Sequence, residues 1–159
     1  MEIKKNSKGV FVVKKLSVEA GKVIFDNNID ISNPDKYENE EYIAYFVEDK
    51  LAGICRVVPK QVRKESLHFF EENIENFNLD NTIFIAGLAI KPEFKGKGIT
   101  EQILKFIIMH SKIKKVKYIL SDVRQTANVN YDLYDFKVCG WFKNPVNRLV
   151  KNDVIYRRL

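Results

Sequence analysis

Apolar and polar positions repeat along this chain with two different periods, and the switches between them mark its elements. "VFVVKK" (10–15) is a β-branched run that predicts a first strand, and Ser17 is placed to cap a helical stretch reaching about Asn27. The polar stretch 28–41 carries Pro34 and predicts loop or short helix. "YIAYFVEDKLAGICRVVP" (42–59) predicts two strands joined at Glu48-Asp49-Lys50, a hairpin. From 60 to 78, Val62, Leu67, Phe70, Ile74 and Phe77 recur at the spacing of one amphipathic helix. "TIFIAGLAI" (82–90) is continuously apolar and predicts a strand buried on both faces.

The pattern then changes abruptly. "KPEFKGKGITEQIL" (91–104) is a polar, lysine-rich turn that runs into a helical face of Ile99, Ile103, Leu104, Ile107 and Ile108, ending near Ser111. "VKYILSDV" (116–123) returns as a strand, and a strand-helix-strand crossover makes the two strands parallel. "NVNYDLYDF" (128–136) predicts a short helix. "KVCGWF", "VNRLV" and "DVIYRRL" predict strands turned at Asn144-Pro145 and Asn152-Asp153. No repeat, linker or low-complexity tract interrupts the 159 residues, which suit a single domain, 1–159.

Charge and cysteine usage narrow the partners. A net charge of +6 favours an anionic partner: nucleic acid, an acidic membrane surface or a phosphorylated cofactor. Cys55 and Cys139 form neither a disulfide framework nor a metal pattern, which points to a reducing cytoplasm and to thiols that pack. No apolar run is long enough to span a bilayer, so a soluble, unexported protein with no membrane partner is expected.

The turn at 91–98 carries the strongest chemical signal. A glycine-rich turn between a strand and a helix points several backbone N–H groups outward at a helix N-terminus, where unpaired donors and the helix dipole both favour an anion. Lys95 and Lys97 add charge beside it, against the alternative of a solvated surface turn. A Walker A loop fails here, because no glycine stands at the required distance upstream of Gly96-Lys97-Gly98-Ile99-Thr100. A dinucleotide fingerprint fails at its third glycine, which would fall on Glu101.

"LAIKPEFKGKGITEQIL" instead resembles motif A of the GNAT N-acetyltransferase superfamily: an apolar strand, a Pro-Glu-aromatic turn, then Q/R-x-x-G-x-G/A opening a helix. Lys95 stands for the Gln or Arg and Thr100 for the small residue, which keeps a charge, loses the guanidinium fork and narrows the backbone's approach. The resemblance is specific over 84–104, looser over 116–142 and absent as sequence over 1–80. It implies an α/β fold: a GNAT-like mixed, mostly antiparallel central sheet of six to seven strands, helices on both faces and a splayed parallel strand pair. It also implies acetyl-CoA as cosubstrate and direct transfer of its acetyl group to a primary amine in a ternary complex.

Under that resemblance the diphosphate falls to the amides of Lys95, Gly96, Lys97, Gly98, Ile99 and Thr100. Gly87 would mark a bulge that splays the strand, letting the pantetheine arm pair with Leu88, Ala89 and Ile90, with the Leu88 N–H polarising the thioester carbonyl. Tyr134 is the implied acid for the departing thiolate, with Tyr131 as its alternate, and Asn128 the implied amide partner of the pantetheine. The family spacing is imperfect: Asn128 to Tyr134 is one residue short, Tyr134 to Gly140 two long, and counting back from Gly140 lands on Phe136.

Proton removal from the amine has no clear owner. Asp122 or Asp80 would have to work through water, and both also read as ordinary turn or strand-end acids. His68 and His110 read as structural, the second suited to a helix C-terminus, and neither cysteine is marked as a nucleophile. No metal-ligand spacing occurs. The acidic clusters 38–41 and 71–75 read as solvated faces, and the amine acceptor is not named by the sequence. Two other functions stay open: a non-catalytic acetyl-CoA sensor, and a basic nucleic-acid-binding domain using Lys112, Lys114, Lys115 and Lys117, which lacks a recognition motif. A homodimer is left open.

Overall fold

The computed structural model describes residues 2–5, 9–15, 37–127 and 130–159. The helix expected from Ser17 to Asn27 and most of the loop before residue 41 lie outside them. Packing divides the chain into two compact units, Met1–Val58 with Gly87–Ile107, and Pro59–Ala86 with Ile108–Leu159.

The first unit is an antiparallel meander in the order β1 (Glu2–Lys5), β2 (Val10–Lys15), β3 (Glu41–Val47), β4 (Lys50–Pro59). The expected hairpin is present: Val47 pairs with Lys50, and the two intervening residues, Glu48 and Asp49, have φ of 48° and 65°. That is the backbone hand that matches strand twist. Ile43, Tyr45, Ala52, Ile54, Cys55 and Val57 are buried. The Phe11 ring stacks on Phe106 at 4.5 Å. Helix α2 (Ile99–Ile113) enters this core through Ile99, Ile103, Phe106 and Ile107. A side chain at Gly53 would meet the Ile90 and Ile103 side chains at 2.7 and 3.0 Å, so glycine there lets α2 and the end of β5 (Thr82–Ile90) settle on β4.

The second unit orders its strands β5-β6-β8-β7, with β6 Tyr118–Arg124, β7 Lys137–Lys143 and β8 Lys151–Arg158. The first half of β5 pairs in parallel with β6, from Thr82↔Tyr118 to Ile85↔Ser121; β6 with β8 and β8 with β7 are antiparallel. The sheet is therefore mixed and mostly antiparallel with one parallel pair, as expected; β1 adds a strand not anticipated from sequence.

Four elements differ from the sequence reading. The helix expected over 60–78 is α1, Lys64–Asn73. Lys60 is left-handed (φ 60°) and Arg63 is its extended N-cap, while Asn73 turns its side-chain amide onto the Phe69 carbonyl at 2.8 Å. The strand expected at "VNRLV" is a turn, because Asn144 is buried and its Oδ1 accepts from the Val146 and Asn147 amides, which locks the chain out of an extended form. The turn expected at Asn152-Asp153 lies inside β8: Asn152 is buried and its amide bonds side chains rather than its own backbone. Of the short helix expected over 128–136, residues 128 and 129 lie outside the described residues, and the rest holds a single 3₁₀ turn, Asp132–Tyr134.

Candidate active site

Strand β5 changes character at Gly87. Ile83 to Ala86 are buried, whereas Gly87 to Ile90 are half-exposed. Its recorded pairing with β6 ends at Ile85↔Ser121, where the Ser121 hydroxyl donates to the Ile85 carbonyl at 2.9 Å. Leu88, Ala89 and Ile90 thus continue an extended backbone beyond the paired stretch.

The turn that follows is anchored at its start. The Lys91 amide donates to the Ala52 carbonyl at 2.9 Å, and Pro92–Phe94 form a 3₁₀ turn closed by the Phe94 amide on Lys91 and the Lys95 amide on Pro92. Gly96 and Gly98 then take φ of +76° and +74°, the left-handed region that a side chain disfavours. A Cβ at either would meet nothing within 4 Å, so glycine is required by conformation and the space above both residues is open. Helix α2 begins next, its first bond running from the Gln102 amide to the Gly98 carbonyl at 3.2 Å. The amides of Ile99, Thr100 and Glu101 sit in the first turn, where a helix supplies no carbonyl acceptor.

Lys95 and Lys97 are exposed, with the Lys97 ammonium 5.5 Å from the centre of the Phe94 ring. Glu101 is drawn aside by Lys105 at 3.0 Å, which keeps a carboxylate off the cation-rich turn. Lys95 to Thr100 belong to the first unit, together with Leu88, Ala89 and Ile90.

The candidate proton donors lie in the second unit. Tyr134 closes the Asp132–Tyr134 turn, its amide donating to the Tyr131 carbonyl at 3.2 Å and its carbonyl accepting from Arg157 Nη1 at 2.7 Å. Both backbone groups are pinned, so its half-buried side chain leaves from a fixed point. Tyr131 instead donates its hydroxyl to Asp153 Oδ2 at 3.4 Å, and burial with the neighbouring carboxylate pushes its phenol up to about 12. Phe136 is buried and packs. Asn128 lies outside the described residues.

Asp122 is enclosed in a network that sequence reasoning missed. Its carboxylate accepts from Arg63 Nε at 3.0 Å, Ser66 Oγ at 3.4 Å and Asn152 Nδ2 at 2.9 Å, and Asn152 Oδ1 in turn accepts from Asn144 at 3.1 Å. Burial pushes this carboxyl upward against the pull of Arg63 and the three hydrogen bonds. Only the acid at a strand end was visible beforehand, because its partners arrive from 59, 56 and 30 residues away. Asp80 is exposed in a 3₁₀ turn.

The remaining candidates are placed as follows. His110 is buried in the last turn of α2, and His68 is exposed against the Phe69 ring. Cys55 is buried and free; the free Cys139 thiol is pushed up to about 11 by burial, which leaves almost no thiolate near neutral pH. Among the described residues no group of three or more His, Cys, Asp or Glu is placed to hold a metal ion. Among them, too, no helix is long and apolar enough to cross a membrane.

Comparison with known proteins gives a consistent result. The model of the acetyltransferase (GNAT) family matches residues 17–141. No curated protein sequence matches. A GNAT family acetyltransferase from Elizabethkingia anophelis with acetyl-CoA bound superposes with a TM-score of 0.64 at 15% identity, over 94% of this chain and 98% of that one. A Bacillus subtilis acetyltransferase in complex with CoA gives 0.62 at 17% identity, over 94% and 99%. The ribosomal-protein-S18-alanine N-acetyltransferase of Escherichia coli gives 0.59 at 12%, over 93% of each chain. At these identities the structural likeness speaks for the fold.

Proposed function

This chain belongs to the GNAT acetyltransferase family, and from that premise we propose that it uses acetyl-CoA to acetylate a primary amine by direct attack in a ternary complex. The observation that carries the reading is the pair of left-handed glycines, Gly96 and Gly98, leading into the N-terminus of α2 under open space. These residues fit a diphosphate: the backbone amides from Gly96 to Thr100 donate, and the helix start favours the negative charge. The Lys95 amide already closes the turn on Pro92, so Lys95 contributes through its ammonium, as does Lys97.

Half-exposed Leu88, Ala89 and Ile90, past the last pairing of β5 with β6, suit an amide-bearing pantetheine arm, received as an added strand. The Leu88 N–H serves the thioester oxygen as charge develops there. Asn128 joins this binding set by family position. Tyr134 supplies the proton for the thiolate; Tyr131 is the weaker acid, already donating to Asp153.

Asp122 is not the base in this reading, since Arg63 and Asn152 hold its carboxylate. An alkyl amine, with a pKa of about 10.4, passes its proton to solvent water before attack. With the Cys139 thiol held up by burial, an acetyl-cysteine intermediate is disfavoured, in line with direct transfer. The whole chain, 1–159, acts as one catalytic domain, working in the cytoplasm.

Titrating coenzyme-stripped protein with acetyl-CoA by calorimetry tests the site, and amine-dependent release of free thiol across a panel of primary amines tests the activity. Micromolar binding with turnover supports the enzyme. Binding without turnover on any amine leaves the sensor reading. No binding at millimolar acetyl-CoA overturns both.

A further inference from the structure

Residues 136–152, β7 and the turn after it, contain Lys137, Lys143, Arg148 and Lys151 and no acidic residue. All four bases are exposed. Among them stand four exposed apolar side chains: Val138 (52%), Trp141 (49%), Val146 (64%) and Leu149 (97%). This exposure is held in place. The turn is fastened from inside by buried Asn144, whose amide N–H bonds the Val150 carbonyl at 2.9 Å, and by the Leu149 amide on Asn147 Oδ1 at 3.2 Å. Val146 and Leu149 are therefore presented outward by a hydrogen-bonded frame.

The sheet face confirms the direction. Phe69 of α1 occupies the space where a Gly140 side chain would stand, and Arg63 lies 5.6 Å from the Phe142 ring, so Gly140 and Phe142 face α1. Alternation along the strand puts Trp141 on the other face, beside its cross-strand partner Asp153, whose carboxylate accepts from Gln125 Nε2 and the Tyr131 hydroxyl. There the Lys151 ammonium sits 4.1 Å from the Trp141 ring centre. At the end of an edge strand, this is an apolar tip with four exposed bases along it, and the nearby Asp153 carboxylate is engaged by Gln125 and Tyr131.

We propose that β7 and the 144–150 turn form a reversible docking surface for an anionic lipid bilayer. The bases meet the headgroup charge, and Trp141, Val146 and Leu149 enter the headgroup and acyl boundary. The contact is peripheral and departs from the expectation of no membrane partner. A second copy of this chain would bring four bases against four bases, which opposes a symmetric contact. Nucleic acid would match the charge and leave the aliphatic tips Val146 and Leu149 without a role.

Trp141 is the chain's single tryptophan, so its emission reports on this surface alone. The experiment is to add phosphatidylcholine vesicles, with and without 30% phosphatidylglycerol, to the full chain and to follow tryptophan emission and co-flotation. The expected result is a blue shift and flotation with the anionic vesicles only, reversed by salt. Leu149→Ser should reduce flotation several-fold, and Arg148→Glu should do the same, with circular dichroism unchanged. Absence of both signals with anionic vesicles overturns the proposal. So does a shift elicited by a single-stranded oligonucleotide, or by raising protein concentration without lipid, when vesicles elicit none.

Discussion

The turn at Lys95–Gly98 and the cluster around Asp122 are built from the same materials, charged side chains and amides, and present them oppositely. In the cluster, Arg63, Ser66 and Asn152 all direct hydrogen bonds at one carboxylate, and every one of these groups is buried. In the turn, both lysines and both glycines are exposed, and the backbone is bent into a form that aims amides outward. Buried charge satisfied from within holds a fold together. Exposed donors held in a fixed arrangement by two left-handed glycines are ready for a ligand. Asp122 and the turn thus illustrate why a polar residue at a strand end is weak evidence of catalysis until its partners are known.

Breaking the cluster should cost the most. Arg63→Met leaves the Asp122 carboxylate buried without its cation and is expected to lower stability by roughly 3–5 kcal/mol, read by urea unfolding. In the turn, Gly98→Asp adds a side chain to a left-handed residue and a like charge beside the phosphates, so acetyl-CoA affinity should fall by roughly 100-fold or more with little change in Tm. Opposite outcomes, in which Arg63→Met weakens only binding or Gly98→Asp only stability, would reverse the roles assigned to the two regions.

Smaller changes sharpen the contrast. Tyr134→Phe should lower kcat by roughly tenfold to 100-fold with the acetyl-CoA affinity kept, measured by thiol release. Gly96→Ala, with open space around it, tests conformation alone and should cost about 1 kcal/mol of stability or binding. Tyr131 gives the smallest signal. Its folded pKa, up to about 12, lies above the ordinary value near 10, so its contribution is intact below pH 10 and is lost as pH rises toward 12. Ultraviolet titration should show late phenols, Tyr42 being pushed up by burial as well, and one of them should disappear in Tyr131→Phe.

Legibility followed sequence distance. The 48–49 hairpin, strand 82–90 and the start of α2 at Ile99 are each specified by residues within a few positions: two turn residues, an unbroken apolar run, and glycines before an amphipathic face. The 146–150 segment was misread because its composition is that of a strand, while the group that makes it a turn is one buried amide, Asn144. Phe77 extended the helical pattern past Asn73, yet it packs on Phe70 from outside the helix, ring centres 6.0 Å apart. The end of the β5–β6 pairing at Ile85↔Ser121 had its hint in Gly87, two residues on, and the Ser121 hydroxyl that marks the place had none.

By itself the sequence determined the mixed α/β order, the glycine turn, its position between an apolar strand and a helix, and through that turn the family. These are local matters of φ, side-chain volume and period, decided among neighbouring residues. Only the tertiary structure decided that Asp122 is held by Arg63, Ser66 and Asn152, that the Tyr131 hydroxyl donates to Asp153 while the Tyr134 carbonyl accepts from Arg157, and that bases and apolar side chains stand exposed together along β7 and the turn after it. Those outcomes depend on which distant groups share a dry interior, where an unmatched charge or hydrogen bond is costly, and no short stretch of sequence carries that information.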